Sequence, residues 1–244
     1  MGEAKRRKAT GKPSPERLRR ERRQQWIWGG SIAAVVAVVA LVLYLVTPGT
    51  GPSGTLPTAD ADADPFPSEL DRYGVQLGDP DAPVVVREFA DYQCPACARF
   101  AEVHERLKAD YIDQGKVRLV FFEMPLRQHA NAIPAALAAR CAGDQDAYWD
   151  MHNKLFEDQS AWANLSTPLD TFVGYARDLD LNDTRLRRCM TTEFRLDRVE
   201  DSQSVAQQLR ITSTPTVIVD NIPLTRPGWE QLSGVIDRQL EQAN

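Results

Sequence analysis

The stretch Val84–Phe100, VVVREFADYQCPACARF, constrains the fold of this chain more than any other. A β-branched run, Val84-Val85-Val86, reads as a strand and leads into Glu88-Phe89, then a turn-like Asp91-Tyr92-Gln93. Cys94-Pro95-Ala96-Cys97 follows and opens a helical pattern. With Cys94 at the N-cap, Pro95 becomes N1, where its missing N–H costs nothing. Cys97 is then N3. A thiolate at Cys94 accepts the Cys97 N–H and sits at the positive end of the helix dipole. Both effects favour the anion, which is the nucleophilic form of sulfur. The second sulfur, one turn inside, is placed to close a disulfide with the first and expel a bound partner. The same spacing also serves as half of a zinc site. The other two cysteines, Cys141 and Cys189, lie far apart and form no second CxxC, which weighs against zinc.

Charge divides the chain. Residues 1–25 carry a net +7, residues 26–46 none and the remainder −12, which together give the overall −5. A basic end on an acidic body is compatible with nucleic-acid binding, but the apolar run that follows favours a membrane. Trp26–Val46 is long enough to cross a bilayer core as a helix of about 31 Å. Trp26, Trp28 and Tyr44 lie near its ends, as interfacial aromatics do. The positive flank puts residues 1–25 in the cytoplasm and everything after Val46 outside. A cleaved signal peptide is the alternative, but the run exceeds the usual apolar region and no small-x-small site follows closely. Thr47–Ser68, rich in Gly, Pro, Ser, Thr and Asp, reads as a flexible linker, and the folded body is expected over 69–244.

Within that body, Cys97, Phe100, Val103, Leu107 and Tyr111 mark one helix face, ended by Gly115. Val117–Phe122 is a short apolar strand, and strand–helix–strand implies a parallel pair. About ninety mostly helical residues separate it from the next strand, Thr216–Asp220. Ile133, Leu137 and Cys141 repeat at four, as do Ala147, Met151 and Leu155. Thr167 is the expected N-cap of a helix with Pro168 at N1. Leu186, Cys189 and Met190 mark another helix, and Val199, Val205 and Leu209 a further one. Asp220-Asn221 is expected to turn the last strand into Ile222–Leu224, where Pro223 demands a sheet edge. Trp229, Leu232, Ile236 and Leu240 pattern the final helix.

The run Glu88-Phe-Ala-Asp-Tyr-Gln-Cys94-Pro-Ala-Cys97, with Thr214-Pro215-Thr216 far downstream, resembles the DsbA-like thiol–disulfide oxidoreductases of the thioredoxin superfamily. The resemblance covers about residues 70–242. It implies an α/β thioredoxin-like fold with an inserted helical domain over about 125–210, here preceded by a single N-terminal transmembrane helix. It implies that Cys94 is the attacking and attacked sulfur and Cys97 its redox partner. Pro95 and Ala96 would tune the pair and meet substrate. The strongest oxidants of the family have a His where Ala96 stands. Glu88 would be a buried acid that moves a proton for Cys97; otherwise it is a strand-edge carboxylate. Pro215 would be cis beside the CxxC, with the Thr214 backbone pairing to an extended substrate; otherwise it is an ordinary trans turn.

Cys141 and Cys189 sit on apolar helix faces and are either free core residues or, given an even count outside the membrane, a structural disulfide. His104, His129 and His152 are scattered and expected to be structural or exposed. Asp91 reads as a turn residue. No metal set, phosphate loop or Ser/His/Asp constellation is visible. The expected activity is extracytoplasmic oxidation of dithiols in reduced exported proteins, with no dissociable cofactor. The chain would be a monomer with no nucleic-acid partner, re-oxidised by a membrane protein of the DsbB or vitamin-K-epoxide-reductase type. The rivals are a reductase or isomerase using the same site, and an anchored chaperone-like binding protein with structural cysteines.

Overall fold

The computed structural model describes residues 56–60 and 64–243. The expected membrane helix at Trp26–Val46 and the basic segment before it lie outside the described residues. Among those described, no helix is long and apolar enough to cross a membrane.

The centre is strand β2 (Val84–Ala90), six of whose seven residues are buried. It pairs in parallel with β3 (Val117–Glu123), Val84 opposite Val117 and Glu88 opposite Phe121. On its other side it runs antiparallel to β4 (Thr216–Val219), which places Glu88 opposite Val217. Edge strands complete a five-stranded mixed sheet in the order β1-β3-β2-β4-β5, with β1 at Val75–Leu77 and β5 at Ile222–Pro223. Pro223 occupies the edge its missing N–H requires. Alternate residues of a strand face opposite sides. Val84 and Val86, with Val117, Leu119, Val217 and Val219, pack under the last helix, α9 (Trp229–Ala243), on Leu232, Val235 and Ile236. Phe89, Val120 and Phe122 face the other way, onto Val205 and Ala206 of α8 (Leu196–Gln208).

The helix expected after the motif is interrupted. It forms α1 (Pro95–Ala101), then α2 (His104–Leu107), then a single wider turn over Lys108–Ile112. Phe100, Leu107 and Tyr111 are buried as expected, and the interruption brings His104 within reach of β2. The insertion is helical throughout: α3 (Ala132–Gly143), α4 (Tyr148–Glu157), α5 (Gln159–Trp162), α6 (Leu169–Asp178), α7 (Asp183–Thr191) and α8. Its core includes Ala135, Ala139, Met151, Leu155, Trp162, Phe172 and Leu186. Two expectations are corrected. Ile133 is 44 % exposed, because the alanines of α3, not an Ile-Leu-Cys stripe, form its buried face. Helix α6 begins after Pro168, which takes the cap position itself, with no side-chain cap from Thr167.

The body also starts earlier than residue 69. Leu56 packs on the α9 core, so close to Gly234 that a Cβ there would lie 2.9 Å from Leu56 Cδ2. Arg238 of α9 donates to Pro57 O. Phe66 lies under the Arg87 guanidinium at 4.0 Å and donates its N–H to Asn221. A short 3-10 turn at Ser68–Tyr73 supplies Asp71, buried against Arg87 Nε at 2.7 Å. These segments follow from tertiary contacts that the local composition, read as linker, does not announce.

Candidate active site

Strand β2 ends at Ala90 and delivers the chain to the cysteines through a pinned turn. Asp91 Oδ1 accepts the Gln93 N–H at 2.7 Å, an Asx turn, and Asp91 Oδ2 accepts from Leu126 N and His129 Nδ1. The Asp91 carbonyl accepts the Cys94 N–H at 3.0 Å. Cys94 is the N-cap of α1 with extended backbone, and Pro95 is N1. The insertion holds this turn from the side. Gln159 Nε2 donates to the carbonyls of Tyr92 and Cys94, at 2.7 and 3.0 Å. Gln93 in turn donates to Ala163 O and accepts from Asn131 N.

Cys94 is 8 % exposed and Cys97 fully buried; both are free thiols here. The fold makes them unequal. A hydrogen bond from the Cys97 thiol draws the Cys94 pKa down to about 4 against the opposing effect of burial. The Thr214 side chain and the N–H groups of Cys97 and Ala96 add to the lowering. Cys97 moves the other way, raised by holding its proton toward Cys94 and by burial. The low thiolate therefore belongs to the sulfur nearer the surface.

Thr214 and Pro215 come to the same place from the far end of the chain. Their peptide bond is cis, and Thr214 O lies 3.8 Å from Cys94 Sγ. A cleft of ≈ 260 Å³ opens beside the pair, lined by Ala96, Arg99, Phe100, Val103, Pro215 and Gly228. Pro95 is exposed and Ala96 half-buried at its rim. Glu88 is fully buried in β2, on the sheet face of Val86 and Ala90. Its Oε2 meets His104 Nε2 at 2.6 Å, and its Oε1 has no partner among the described residues.

Cys141 and Cys189 form a disulfide joining α3 to α7, with Cα atoms 5.9 Å apart. They are thus consumed, and do not complete a four-thiolate set with Cys94 and Cys97. The histidines, expected to be structural or exposed, are structural, and two of them that are far apart in sequence meet in the fold. His104 and His152 stack with centroids 5.3 Å apart, and His104 reaches Glu88. His129 holds Asp91. Sequence reading also missed Gln159 and Asn131, which carry no motif and act only through the backbone they brace.

A parallel β-α-β unit with a CxxC at the start of its helix, faced by a Thr-Pro loop, defines a thiol–disulfide oxidoreductase on a thioredoxin-like fold. Residues 71–238 match the family model described as Thioredoxin. The probable disulfide bond formation protein D of Bacillus anthracis is 32 % identical over 189 residues, 72 % of this chain and 83 % of that protein. The crystal structure of oxidised BdbD from Bacillus subtilis superposes with a TM-score of 0.63 at 28 % identity, covering 70 % of this chain and 94 % of that one. That of Wolbachia pipientis alpha-DsbA1 gives 0.62 at 26 %, covering 69 % and 91 %. The chain belongs to the thioredoxin family, as a DsbA-like protein thiol–disulfide oxidoreductase.

Proposed function

We propose that the chain works in the oxidising direction, passing the Cys94–Cys97 disulfide to reduced exported proteins outside the cytoplasmic membrane. The single observation that carries the direction is the inequality of the two thiols. A stabilised Cys94 thiolate favours the reduced pair, so the disulfide is the better oxidant. The donors gathered on Cys94 supply this without the imidazole that Ala96 lacks. The names of the Bacillus relatives support the same direction.

In the reaction a substrate thiolate attacks Cys94 Sγ, forming the mixed disulfide and expelling Cys97 as a thiolate. Cys97, held away from water, takes a proton, and Glu88 is the acid that serves it. The second substrate thiolate then attacks the substrate sulfur of the mixed disulfide. It closes the substrate disulfide and releases Cys94, a good leaving group because its pKa is low. Two electrons move from substrate to protein. Substrate lies in the cleft beside Ala96 and Pro215, with its backbone along Thr214 and its side chains against Pro95. Trp26–Val46 anchors the chain with its N-terminus in the cytoplasm, and a membrane protein of the DsbB or vitamin-K-epoxide-reductase type restores the disulfide.

The direct test mixes the oxidised full chain with a reduced, unfolded secretory protein. Substrate disulfides should form as Cys94 and Cys97 become free, one pair for one bond. A reading as reductase requires the opposite transfer, and a binding protein shows neither. Protease added to intact spheroplasts should digest the body from Glu69 onward; full protection overturns the placement.

A further inference from the structure

Beside Glu88 runs a buried chain of polar side chains that thiol–disulfide exchange alone leaves unused. Glu88 Oε2 meets His104 Nε2 at 2.6 Å, and His104 Nδ1 meets His152 Nε2 at 3.3 Å. His152 Nδ1 meets the Tyr92 hydroxyl at 2.9 Å, and Tyr92 meets Tyr148 at 3.1 Å. Tyr148 reaches Glu123 Oε1 at 2.8 Å, and Arg140 Nε lies 2.6 Å from the same oxygen. Glu88, His152 and Glu123 are fully buried.

Hydrogens in such a chain cannot point either way at will. Arg140 has only donors to offer, so Glu123 accepts. Tyr148 then spends its hydroxyl hydrogen on Glu123 and accepts from Tyr92. Burial and Glu123 raise both phenols, so each keeps its hydrogen. Tyr92, having donated to Tyr148, accepts from His152, whose Nδ1 therefore carries hydrogen. Burial pushes the His152 imidazolium well below the usual range, so the ring is neutral and its Nε2 bare. That nitrogen accepts from His104 Nδ1–H. One hydrogen is left unassigned, the one between His104 Nε2 and Glu88 Oε2.

We propose that Arg140 and Glu123, acting through Tyr148, Tyr92 and His152, lock His104 in the form protonated at Nδ1, and so confine proton exchange for Cys97 to the Glu88–His104 contact. The proposal rests on the reading of Glu88 as the acid that serves Cys97. When Cys97 departs as a thiolate, the hydrogen shared by Glu88 and His104 passes to its sulfur and an S–H bond forms. The pair is left as a carboxylate facing a bare imidazole nitrogen. These lone pairs repel, which favours prompt uptake of a proton from water. Glu88 is closed to solvent, whereas the His104 side chain is 11 % exposed and is the member water can reach. The reverse transfer operates when Cys97 is the attacking thiolate. The titratable groups against the His104 ring are Glu88 of β2 and His152 of α4; α1 offers only the edge contact of Phe100. His152, Tyr92 and Tyr148 are positioning residues in this scheme, whereas His104 shares the transferred proton with Glu88.

Long-range 1H–15N spectra of the reduced full chain, labelled in histidine nitrogen, read the tautomers directly. His152 should be neutral with hydrogen on Nδ1, and His104 should keep hydrogen on Nδ1 at every pH where the fold persists. Tyr148→Phe frees the Tyr92 hydroxyl to donate to His152 Nδ1. That variant should switch His152 to the Nε2–H form and slow exchange by at least about tenfold with an altered pH profile, a modest share of what positioned acid–base groups supply. Tyr92→Phe, which deletes the acceptor itself, should do the same. Hydrogen on His152 Nε2 in the wild-type chain overturns the proposal, as does a tautomer switch that leaves rate and pH profile unchanged. Glu88→Gln separates the underlying reading: tautomers as drawn with an unaltered exchange rate show that Glu88 is not the acid, and the proposal falls with its premise.

Discussion

The molecule carries two cysteine pairs, and the same side chain has opposite uses in them. Cys94 and Cys97 stand a turn apart at the start of α1, where the N–H groups of Ala96 and Cys97 point toward the Cys94 sulfur and a cleft opens beside them. Cys141 and Cys189, 48 residues apart, join α3 and α7 inside the insertion. Alanines, Leu186 and Met190 surround them there. The first pair is surrounded by donors that reward a negative sulfur. The second is packed among apolar side chains on one side and the Arg195-paired Asp144 carboxylate on the other, with no N-terminal helix donors to favour a free thiolate. Placement, not residue type, decides which disulfide does chemistry and which holds the fold.

The largest expected effect lies at Cys94. Cys94→Ser should reduce exchange with a reduced protein substrate to the uncatalysed background. Cys97→Ser has no disulfide to give to a reduced substrate, but its Cys94 thiolate should attack an oxidised protein substrate, release one substrate thiol and accumulate a mixed disulfide, visible on non-reducing gels. Equal behaviour of the two variants would erase the distinction within the first pair. Next is the second pair. Replacing Cys141 and Cys189 together by Ala should lower unfolding free energy by about 4 kcal/mol on the chain-entropy account of a loop this long. The alkylation rate of Cys94 should not change. A loss of exchange activity in the folded variant would make the second pair part of the redox machinery.

Smaller effects probe how one region supports the other. Gln159→Ala removes both donors to the carbonyls of Tyr92 and Cys94. It should cost about 1 kcal/mol for each bond lost and slow exchange several-fold, with little effect on the Cys141–Cys189 bond. The first pair should also tie stability to pH. Cys94 has a folded pKa of about 4, lowered from the ordinary 9.0. Its contribution to the reduced form is thus complete above about 9, falls with pH and is gone below about 4. Denaturant unfolding of reduced and oxidised protein should show the reduced form gaining on the oxidised as pH rises from 5 to about 8.

How much of this was readable in the sequence follows from how local each cause is. The CxxC at a strand–helix junction, Pro95 at N1 and the edge position of Pro223 depend on neighbours in the chain, and all stand as read. Glu88 stands out in the sequence through its place six residues before Cys94 in the motif that carries the resemblance. Its partner does not, because His104 and His152 reach it from two other elements, and no spacing along the chain records that. The three-residue strand β1 and the packed segment around Leu56 and Phe66 are too short or too mixed to carry a period. Their order comes from contacts with β2, β3, Asn221 and α9. Ile133 shows the converse error: an apolar residue at helical spacing that tertiary packing leaves outside.

The central claim is that the fold keeps one active-site sulfur anionic and the other protonated across the neutral range. The redox equilibrium of Cys94–Cys97 against a glutathione buffer of known potential, followed from pH 5 to about 8, tests it most directly. Reduction should take up two electrons and one proton, so the potential should fall by about 30 mV per pH unit, the value for a tenfold change in a two-electron equilibrium. A slope near 59 mV, meaning that both sulfurs take up a proton on reduction, would contradict it.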